Sequence, residues 1–330
     1  MSQRRALAFF IASGLVFSAL DAYVKAVVVH VPVVGALWAR GLVFLVLLVM
    51  VSGRSRPRRL LRTASPRLQV ARAFALFAAS LTFWFSLSLL PLGEAVALGS
   101  ASPLIIVVLA GPLLHEQVSR AAIVGAVVGF AGVIVLVGLD PREFDARALL
   151  PLLSSMSYAV FSILSRALGH ESEDVTLFYS GAIGLGLATL VLVVAWPGGE
   201  VSITDWLAAG LAGAMALAGH RLLATAYRHS DASDLAPFGY LGLVWGFVIG
   251  AFAFGEPIEL VAVGGAAAIA IGGLIAIRGA VDETPEMAMA APPGVDVGVL
   301  DGYVDDPDGE DDTNDDGHDD DQDRRSASGH

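Results

Sequence analysis

The chain has 330 residues, 55% of them hydrophobic, and a mean hydropathy of +0.70; a soluble domain of this length would not carry so many unbroken apolar runs. Its net charge of −12 is uneven, because residues 282–330 hold 17 of the 32 acidic residues and 2 of the 20 basic ones, which leaves a mildly basic apolar body. The absence of Cys excludes disulfides, thiolate metal sites and Cys nucleophiles, and the single Lys, Lys25, is not part of a G-x-x-x-x-G-K-[ST] motif, which excludes a P-loop ATPase within this chain.

Ten apolar runs follow one another along the body, each close to the roughly 20 residues that cross a bilayer core. Prolines near their ends and a Trp-Pro-Gly-Gly turn at 196–199 separate the runs. Arg4 and Arg5 precede the first run as in a signal peptide, but that run extends to Val28 and others follow, so we predict an uncleaved first helix. The expected fold is an all-α polytopic membrane protein with ten transmembrane helices. The predicted spans are 7–28, 33–51, 71–90, 94–113, 120–139, 148–168, 175–196, 206–227, 232–254 and 258–277.

The distribution of arginine predicts the orientation of the chain. Seven Arg lie between residues 54 and 72, in the longest internal loop. If the N-terminus is cytoplasmic, 13 arginines lie inside and only Arg142 and Arg147 lie outside. The prediction is therefore a multi-pass protein of the cytoplasmic membrane with both termini in the cytoplasm.

Residues 91–139 and 231–279 share one layout: an acid, about twenty apolar residues, a Glu at a short turn and a second apolar run with glycines. The pairs that are identical at an offset of 140 positions include Glu116 and Glu256, Gly125 and Gly265, Ala126 and Ala266, and Gly132 and Gly272. Five spans per half is an odd number, so the second half starts from the opposite side of the membrane. The prediction is two inverted-topology five-helix repeats, 1–140 and 141–281, followed by a disordered acidic cytoplasmic tail, 282–330.

Over residues 5–279 the chain resembles the drug/metabolite transporter superfamily, with two EamA-type domains. In the first copy the matching features are Trp38-Ala39-Arg40-Gly41, Leu90-Pro91-Leu92-Gly93 before Glu94, Ser102-Pro103-Leu104, the Glu116 turn and the Gly125/Gly129/Gly132 run. In the second copy they are Gly255-Glu256 and Gly264/Gly265/Gly272/Gly273. The second copy departs from the first, with Phe178-Tyr179-Ser180 in place of the Arg40 segment and Leu243 in place of Pro103. The resemblance implies a carrier of small molecules such as amino acids, nucleosides, sugars, vitamins or drugs.

Three charged side chains fall near the outer ends of the first two spans. Asp21 and Lys25 are four residues apart and share a helix face. Asp21 is seven residues from Val28, and Arg40 is seven from Val33, so both lie roughly 10 Å below the outer surface. A charge at the centre of the bilayer costs roughly 2.5–3.5 kcal/mol, and we therefore predict that Asp21 pairs with Arg40 or Lys25. Such a pair could be an outer gate or substrate clamp, or only a structural lock; Lys25 could instead snorkel outward.

Acids begin the matching fourth and ninth spans. Glu94 is expected at the outer face and its mate Asp234 at the inner face, each near a helix N-terminus, where the dipole favours an anion. They could act as two gates or be interface charges only, and Asp21 and Glu94 are candidates for proton coupling. Glu116 and Glu256 are predicted to be turn or helix-start residues.

His220 and Arg221 are adjacent polar residues deep within the eighth predicted span. They lie about 21 Å from Trp206 at 1.5 Å per residue, toward the cytoplasm. Arg221 could hold an anionic group of a substrate, or it could pair with Asp234.

Two tyrosines and a set of glycines complete the candidate residues. Tyr158 and Tyr240 fall near the middle of the sixth and ninth spans and are candidate pocket walls. Gly242, Gly246 and Gly250 recur every four residues on one face of the ninth span, which permits close approach or sliding of a neighbouring helix.

The sequence predicts a secondary transporter that moves a small organic metabolite or drug by alternating access, since inverted repeats place a site between them near the midplane. The bilayer and a small molecule are the expected partners, whereas no enzyme activity, cofactor, metal or nucleic acid is expected. The alternative is an intramembrane enzyme or lipid-handling protein, for which no reactive constellation is found. A receptor or scaffold is disfavoured by charges in several spans. A coupling proton or ion and a homodimer are left open.

Overall fold

The computed structural model describes residues 3–52, 60–106, 109, 120–137, 145–168, 171–195, 198, 200–227, 229, 235, 238 and 240–287. Every regular element within these ranges is helical. The α-helices are α1 (Gln3–Val27), α2 (Val33–Ser52), α3 (Pro66–Leu87), α4 (Leu92–Gly99), α5 (Arg120–Val137), α6 (Leu149–Ala167), α7 (Glu173–Val194), α8 (Ile203–Tyr227), α9 (Leu241–Phe254) and α10 (Leu260–Met287). A 3-10 turn, Ala146–Ala148, precedes α6.

Seven of these helices, α1 to α3 and α5 to α8, are long and apolar enough to cross a membrane. The predicted spans 94–113, 232–254 and 258–277 correspond instead to shorter apolar helices over Leu92–Ile106, Leu241–Phe254 and Leu260–Ala276. Part of the first two lies outside the described residues, as do the turn residue Glu116 and most of the predicted tail. The all-helical, multi-pass character is confirmed, and the count of ten spans stays a prediction.

Local sequence accounts for several helix ends. Helix α3 begins at Pro66, a position where the missing N–H of proline has no intrahelical partner to lose. Helix α7 begins after Ser172, whose side chain accepts a hydrogen bond from the N–H of Val175. Helix α9 ends before Gly255, whose left-handed backbone (φ 65°) turns the chain so that the N–H of Glu256 donates to the Gly250 carbonyl (3.1 Å). Gly255 thereby turns the chain directly into Glu256.

Helix contacts recur between positions that the 140-residue offset matches. The hydroxyl of Ser13 in α1 donates to the Gly219 carbonyl of α8 (3.1 Å), and the hydroxyl of Ser154 in α6 donates to the Ala79 carbonyl of α3 (2.9 Å). The acceptors Ala79 and Gly219 are 140 positions apart, and the donors Ser13 and Ser154 are 141 apart. The packing of α1 on α8 is thus repeated by that of α6 on α3.

The glycines of the matched stretches pack α5 against α10. A Cβ placed on Gly125 would meet the backbone of Gly272, and a Cβ on Gly132 would meet the backbone of Gly265. Gly265 and Gly272 are the offset partners of Gly125 and Gly132, so each glycine contacts the partner of the other. Only glycine permits this approach of the two helix backbones.

The glycine face of α9 also packs closely, as predicted. A Cβ on Gly246 would meet the Val96 side chain of α4 at 3.2 Å, and one on Gly250 would meet Leu92 of α4 at 3.5 Å. Gly242 lies near Ser18 of α1. The face therefore seats α9 against α4 and α1.

Candidate functional site

A cavity of about 490 Å³ lies among helices α2, α3, α6, α7 and α8. This volume is within the range of sites for small organic ligands. Its wall is mainly apolar and aromatic, with a few polar and charged side chains. The polar and charged side chains at the wall are those of Arg40, Arg72, Ser80, Tyr158, Glu173, Thr176, Ser180 and His220. The wall thus joins helices of both predicted repeats.

Arg72 lies at this wall, which corrects its place among the loop arginines. It is within α3 and only 8% exposed. Its Nε donates to the Ser165 hydroxyl (2.6 Å), and its Nη1 donates to the Thr176 carbonyl (3.2 Å) and the Ser180 hydroxyl (2.7 Å). The guanidinium lies 4.4 Å from the centre of the Phe161 ring, a cation–π distance. Arg72 therefore holds α3 against α6 and α7 at the cavity.

Arg40 enters the wall from α2. Its guanidinium lies 5.3 Å from the centre of the Trp84 ring, and within the described part of the chain its buried Nε has no hydrogen-bond partner. Asp21 of α1 acts on it electrostatically, but the two are not among the described ion pairs closer than 4.0 Å. A buried donor without an acceptor is costly, so Arg40 is incompletely satisfied by the described residues.

Two other predicted residues, His220 and Tyr158, line the same cavity. The His220 ring stands edge-on to Phe17 and Phe44, with centroid distances of 5.2 and 6.1 Å. The Tyr158 ring is tilted against Phe161 at 5.3 Å. Together these rings give the cavity aromatic surfaces on which a flat molecule could stack.

Arg221, the neighbour of His220, has a partner that sequence reasoning missed. Its Nη2 lies 2.7 Å from Oδ1 of Asp174 in the first turn of α7 and donates to the Ser52 hydroxyl at the end of α2 (2.6 Å). This contact joins α8, α7 and α2 beside the cavity. Asp234, the predicted partner of Arg221, lies outside the described residues.

Lys25 forms its ion pair with Glu256, the turn residue of the second matched stretch, and not with Asp21. Its Nζ lies 3.0 Å from Oε1 of Glu256 and donates to the carbonyls of Leu87 (3.2 Å) and Leu90 (2.5 Å). The other oxygen of Glu256 accepts from the N–H of Leu92 (2.7 Å), the first residue of α4. One ion pair thus ties α1, the end of α3, the start of α4 and the turn after α9.

Glu94 and Tyr240 lie away from the large cavity. Glu94 is in the first turn of α4 and shares a small pocket with Glu256. Tyr240 packs against Gly273 and in a cluster with Leu243, so the described cavity wall does not include it. Of the two tyrosines predicted to line a pocket, only Tyr158 does so in the described residues.

Comparisons with known proteins agree with this architecture. The family described as "EamA-like transporter family" matches residues 4–138 and 147–278. The S-adenosylmethionine uptake transporter of Rickettsia prowazekii is 27% identical over 198 residues, 59% of this chain and 66% of the relative. The riboflavin transporter of Vibrio cholerae is 28% identical over 202 residues, 60% of this chain and 67% of the relative. The matched part of the chain spans about two thirds of the length of these relatives.

The fold is also similar to that of a solved crystal structure. That protein is 23% identical and superposes with a TM-score of 0.58, covering 82% of this chain and 96% of its own. At this identity the likeness concerns the fold alone.

Proposed function

The chain belongs to the EamA-like transporter family, and we propose that it is a secondary transporter moving a small organic metabolite across the cytoplasmic membrane by alternating access. The cavity between α2, α3, α6, α7 and α8 is the proposed substrate site. The observation that carries this proposal is the position of the cavity, with buried polar groups in an otherwise apolar wall. Buried charges in membrane helices most often serve a transport pathway.

The proposed repeats are 1–140 and 141–281, related by an inverted topology. Three sets of contacts support this relation, because each occurs twice with exchanged partners. The packing of α5 on α10 and the paired hydroxyl bonds of α1–α8 and α6–α3 are two of them. In the third, Gly41 of α2 lies against Leu185 of α7, and Gly181 lies against Leu45, their offset partners. A two-fold axis in the membrane plane would generate all three.

Alternating access needs contacts that close each end of the cavity in turn. With the N-terminus in the cytoplasm, Lys25 and Glu256 lie at the outer ends of their helices, and Arg221 and Asp174 lie toward the inner ends. The outer contact is the proposed outer gate, and the Arg221–Asp174–Ser52 contact is the proposed inner gate. Each joins helices of both repeats, so a relative rocking of the repeats would break one while the other persists.

The names of the relatives indicate the kind of cargo. Uptake of S-adenosylmethionine and transport of riboflavin both involve small metabolites with a flat heterocycle. The aromatic wall around Tyr158, Phe161 and His220 is compatible with such a ring. We therefore propose a small ring-bearing metabolite as the substrate.

A matched pair of glycines in α7 tests the site. Gly184 lines the cavity, and among the described residues the atom near its Cβ position is Cδ2 of Phe77 at 4.0 Å. Gly186 is exposed and has no atom of the described residues within 4 Å of its Cβ position. Gly184→Leu should fill the cavity and abolish both ligand-induced thermal stabilisation and uptake, and Gly186→Leu should retain both. The measurement is the melting temperature of purified protein across a metabolite panel that includes riboflavin and S-adenosylmethionine. Equal ligand stabilisation of the two variants would place the site elsewhere.

A further inference from the structure

The charge of the cavity identifies a class of substrate: we propose that it binds an organic anion, a carboxylate or phosphate attached to a flat ring. This inference rests on the proposed function and adds the chemical class of the substrate that the cavity would select. Its basis is the set of charged groups at the cavity wall, which contains two guanidinium groups, Arg40 and Arg72, and one carboxylate, Glu173.

Neither guanidinium forms an ion pair closer than 4.0 Å with a carboxylate of the described residues. The ion pairs closer than 4.0 Å within the described part of the chain involve Lys25, Arg147 and Arg221 as cations. Arg72 instead contacts two hydroxyls and a backbone carbonyl, which are neutral acceptors. The positive charge of the cavity is therefore not cancelled at contact distance, and an anion entering it would gain that interaction.

Two acids lie near these guanidinium groups, Glu173 at the cavity wall and Asp21 behind it. Glu173 lies in the first turn of α7, where the helix dipole favours a carboxylate, and it is engaged within the protein. Asp21 acts on Arg40 electrostatically but does not line the cavity. The guanidinium groups are thus the charges that a ligand in the cavity would meet with hydrogen-bonding capacity unused.

The unused capacity is specific. Nη2 of Arg72 makes no hydrogen bond to the described residues. Nε of Arg40 also has no acceptor among them but is itself buried, so a ligand in the cavity would meet Arg40 through the rest of its guanidinium. Each guanidinium has an aromatic ring nearby, Trp84 for Arg40 and Phe161 for Arg72. A carboxylate or phosphate in the plane of a guanidinium is the acceptor that its fork of donors fits best. The same aromatic wall offers the ring of the ligand a stacking surface.

Two probe pairs that differ in charge but share a ring test the inference. Nicotinate and nicotinamide differ by a carboxylate, and riboflavin 5′-phosphate and riboflavin differ by a phosphate. Binding is measured with the full purified chain by thermal stabilisation and calorimetry. We expect the anionic member of at least one pair to bind at least about tenfold more tightly than its neutral partner. The pair that shows the preference distinguishes a carboxylate from a phosphate.

Variants of the two arginines test whether the guanidinium groups cause the preference for the anion, and a control variant lies on the same helix as Arg72. Arg40→Gln and Arg72→Gln should reduce the preference to near unity, and Arg72→Lys should keep part of it. Arg67→Gln, at an exposed position five residues before Arg72 in α3, should leave it unchanged. If Arg72→Gln does not fold, Arg40→Gln and Arg72→Lys still decide the question, because Arg40→Gln leaves the contacts of Arg72 in place and Arg72→Lys keeps a charged donor for the Ser165 and Ser180 hydroxyls.

The outcomes separate this inference from the proposed function. Equal or tighter binding of the neutral members, abolished by Gly184→Leu, would overturn the anion preference while supporting the cavity as a transport site. A preference that persists in both Arg→Gln variants would also overturn it. Anion binding that is unaffected by Gly184→Leu would count against both proposals.

Discussion

The burial of the ion pair between Lys25 and Glu256 predicts how much free energy of unfolding is lost when the pair is broken. Its two side chains are 15% and 16% exposed, so the pair is largely but not fully removed from water. Breaking a buried pair costs about 3–5 kcal/mol, and breaking an exposed pair costs about 0–1 kcal/mol. For Lys25→Met or Glu256→Gln alone we expect a loss of about 2 kcal/mol in the free energy of unfolding.

Glu256→Gln isolates the charge, whereas Lys25→Met also removes the bonds to the Leu87 and Leu90 carbonyls, a loss that the double-mutant cycle subtracts. Glu256→Gln keeps a side-chain oxygen that can still accept from the N–H of Leu92, and Lys25→Met keeps most of the apolar stem. The double variant leaves no stranded charge, so it should recover at least about 1.5 kcal/mol relative to the sum of the single losses. The assay is a double-mutant cycle on thermal unfolding of the purified protein.

A matched exposed pair serves as the control. Arg147 and Asp145 lie 2.7 Å apart at 56% and 36% exposure. The same cycle with Arg147→Met and Asp145→Asn should give no measurable coupling, because solvent screens exposed pairs. If the Lys25 and Glu256 losses are strictly additive, or if both cycles give equal coupling, the assignment of a desolvated contact there is refuted.

The same variants report on gating. Since the chain has no Cys, Ser80→Cys places a single thiol at the cavity wall. Glu256→Gln should raise the rate at which an impermeant maleimide applied outside labels this thiol, because the proposed outer gate is weakened. An unchanged rate would leave the contact a structural tie between helices.

Three further predictions concern packing, topology and the tail. Gly272→Val should destabilise the protein severely, because the new side chain would meet the backbone of α5. Gly264→Val should be tolerated, because no atom of the described residues lies within 4 Å of its Cβ position. Equal melting temperatures of the two variants would contradict the α5–α10 contact. In intact cells Ser55→Cys should resist an impermeant maleimide while Gly199→Cys reacts, and the reverse pattern would invert the proposed orientation. Truncation after Thr284 should leave insertion and uptake nearly unchanged, since an acidic segment without apolar periodicity is not expected to form packed contacts; loss of the folded protein would show that the tail docks on the body.

The helical, multi-pass architecture could be predicted from the sequence because hydrophobic length is a local property. A run of about twenty apolar residues has its backbone satisfied in lipid only as a helix, wherever its neighbours lie. The offset matches between glycines were also visible in sequence, and the structure shows the corresponding positions in contact across α5 and α10. The close approach of α9 was predicted in the same way from its glycine spacing.

Arg72 shows where one-dimensional reasoning was insufficient. It was counted with the loop arginines, although the predicted third span began at residue 71 and therefore included it. That overlap was the available signal for a buried arginine. Its partners Ser165, Thr176 and Ser180 are about a hundred positions away, and nothing local in the sequence marks them.

By itself the sequence determined which segments are apolar helices and which charged side chains lie within them. Only the tertiary structure decided the partners of those charges and the face that each helix turns to the cavity. Lys25 meets Glu256 and Arg221 meets Asp174, whereas nearer charges in sequence, such as Asp21, do not form these contacts. Tyr158 and Tyr240 looked equivalent at the middle of their spans, yet only Tyr158 lines the cavity in the described residues. The physical reason is that rotation and crossing of helices are set by packing against neighbours, which hydrophobicity along a single chain does not specify.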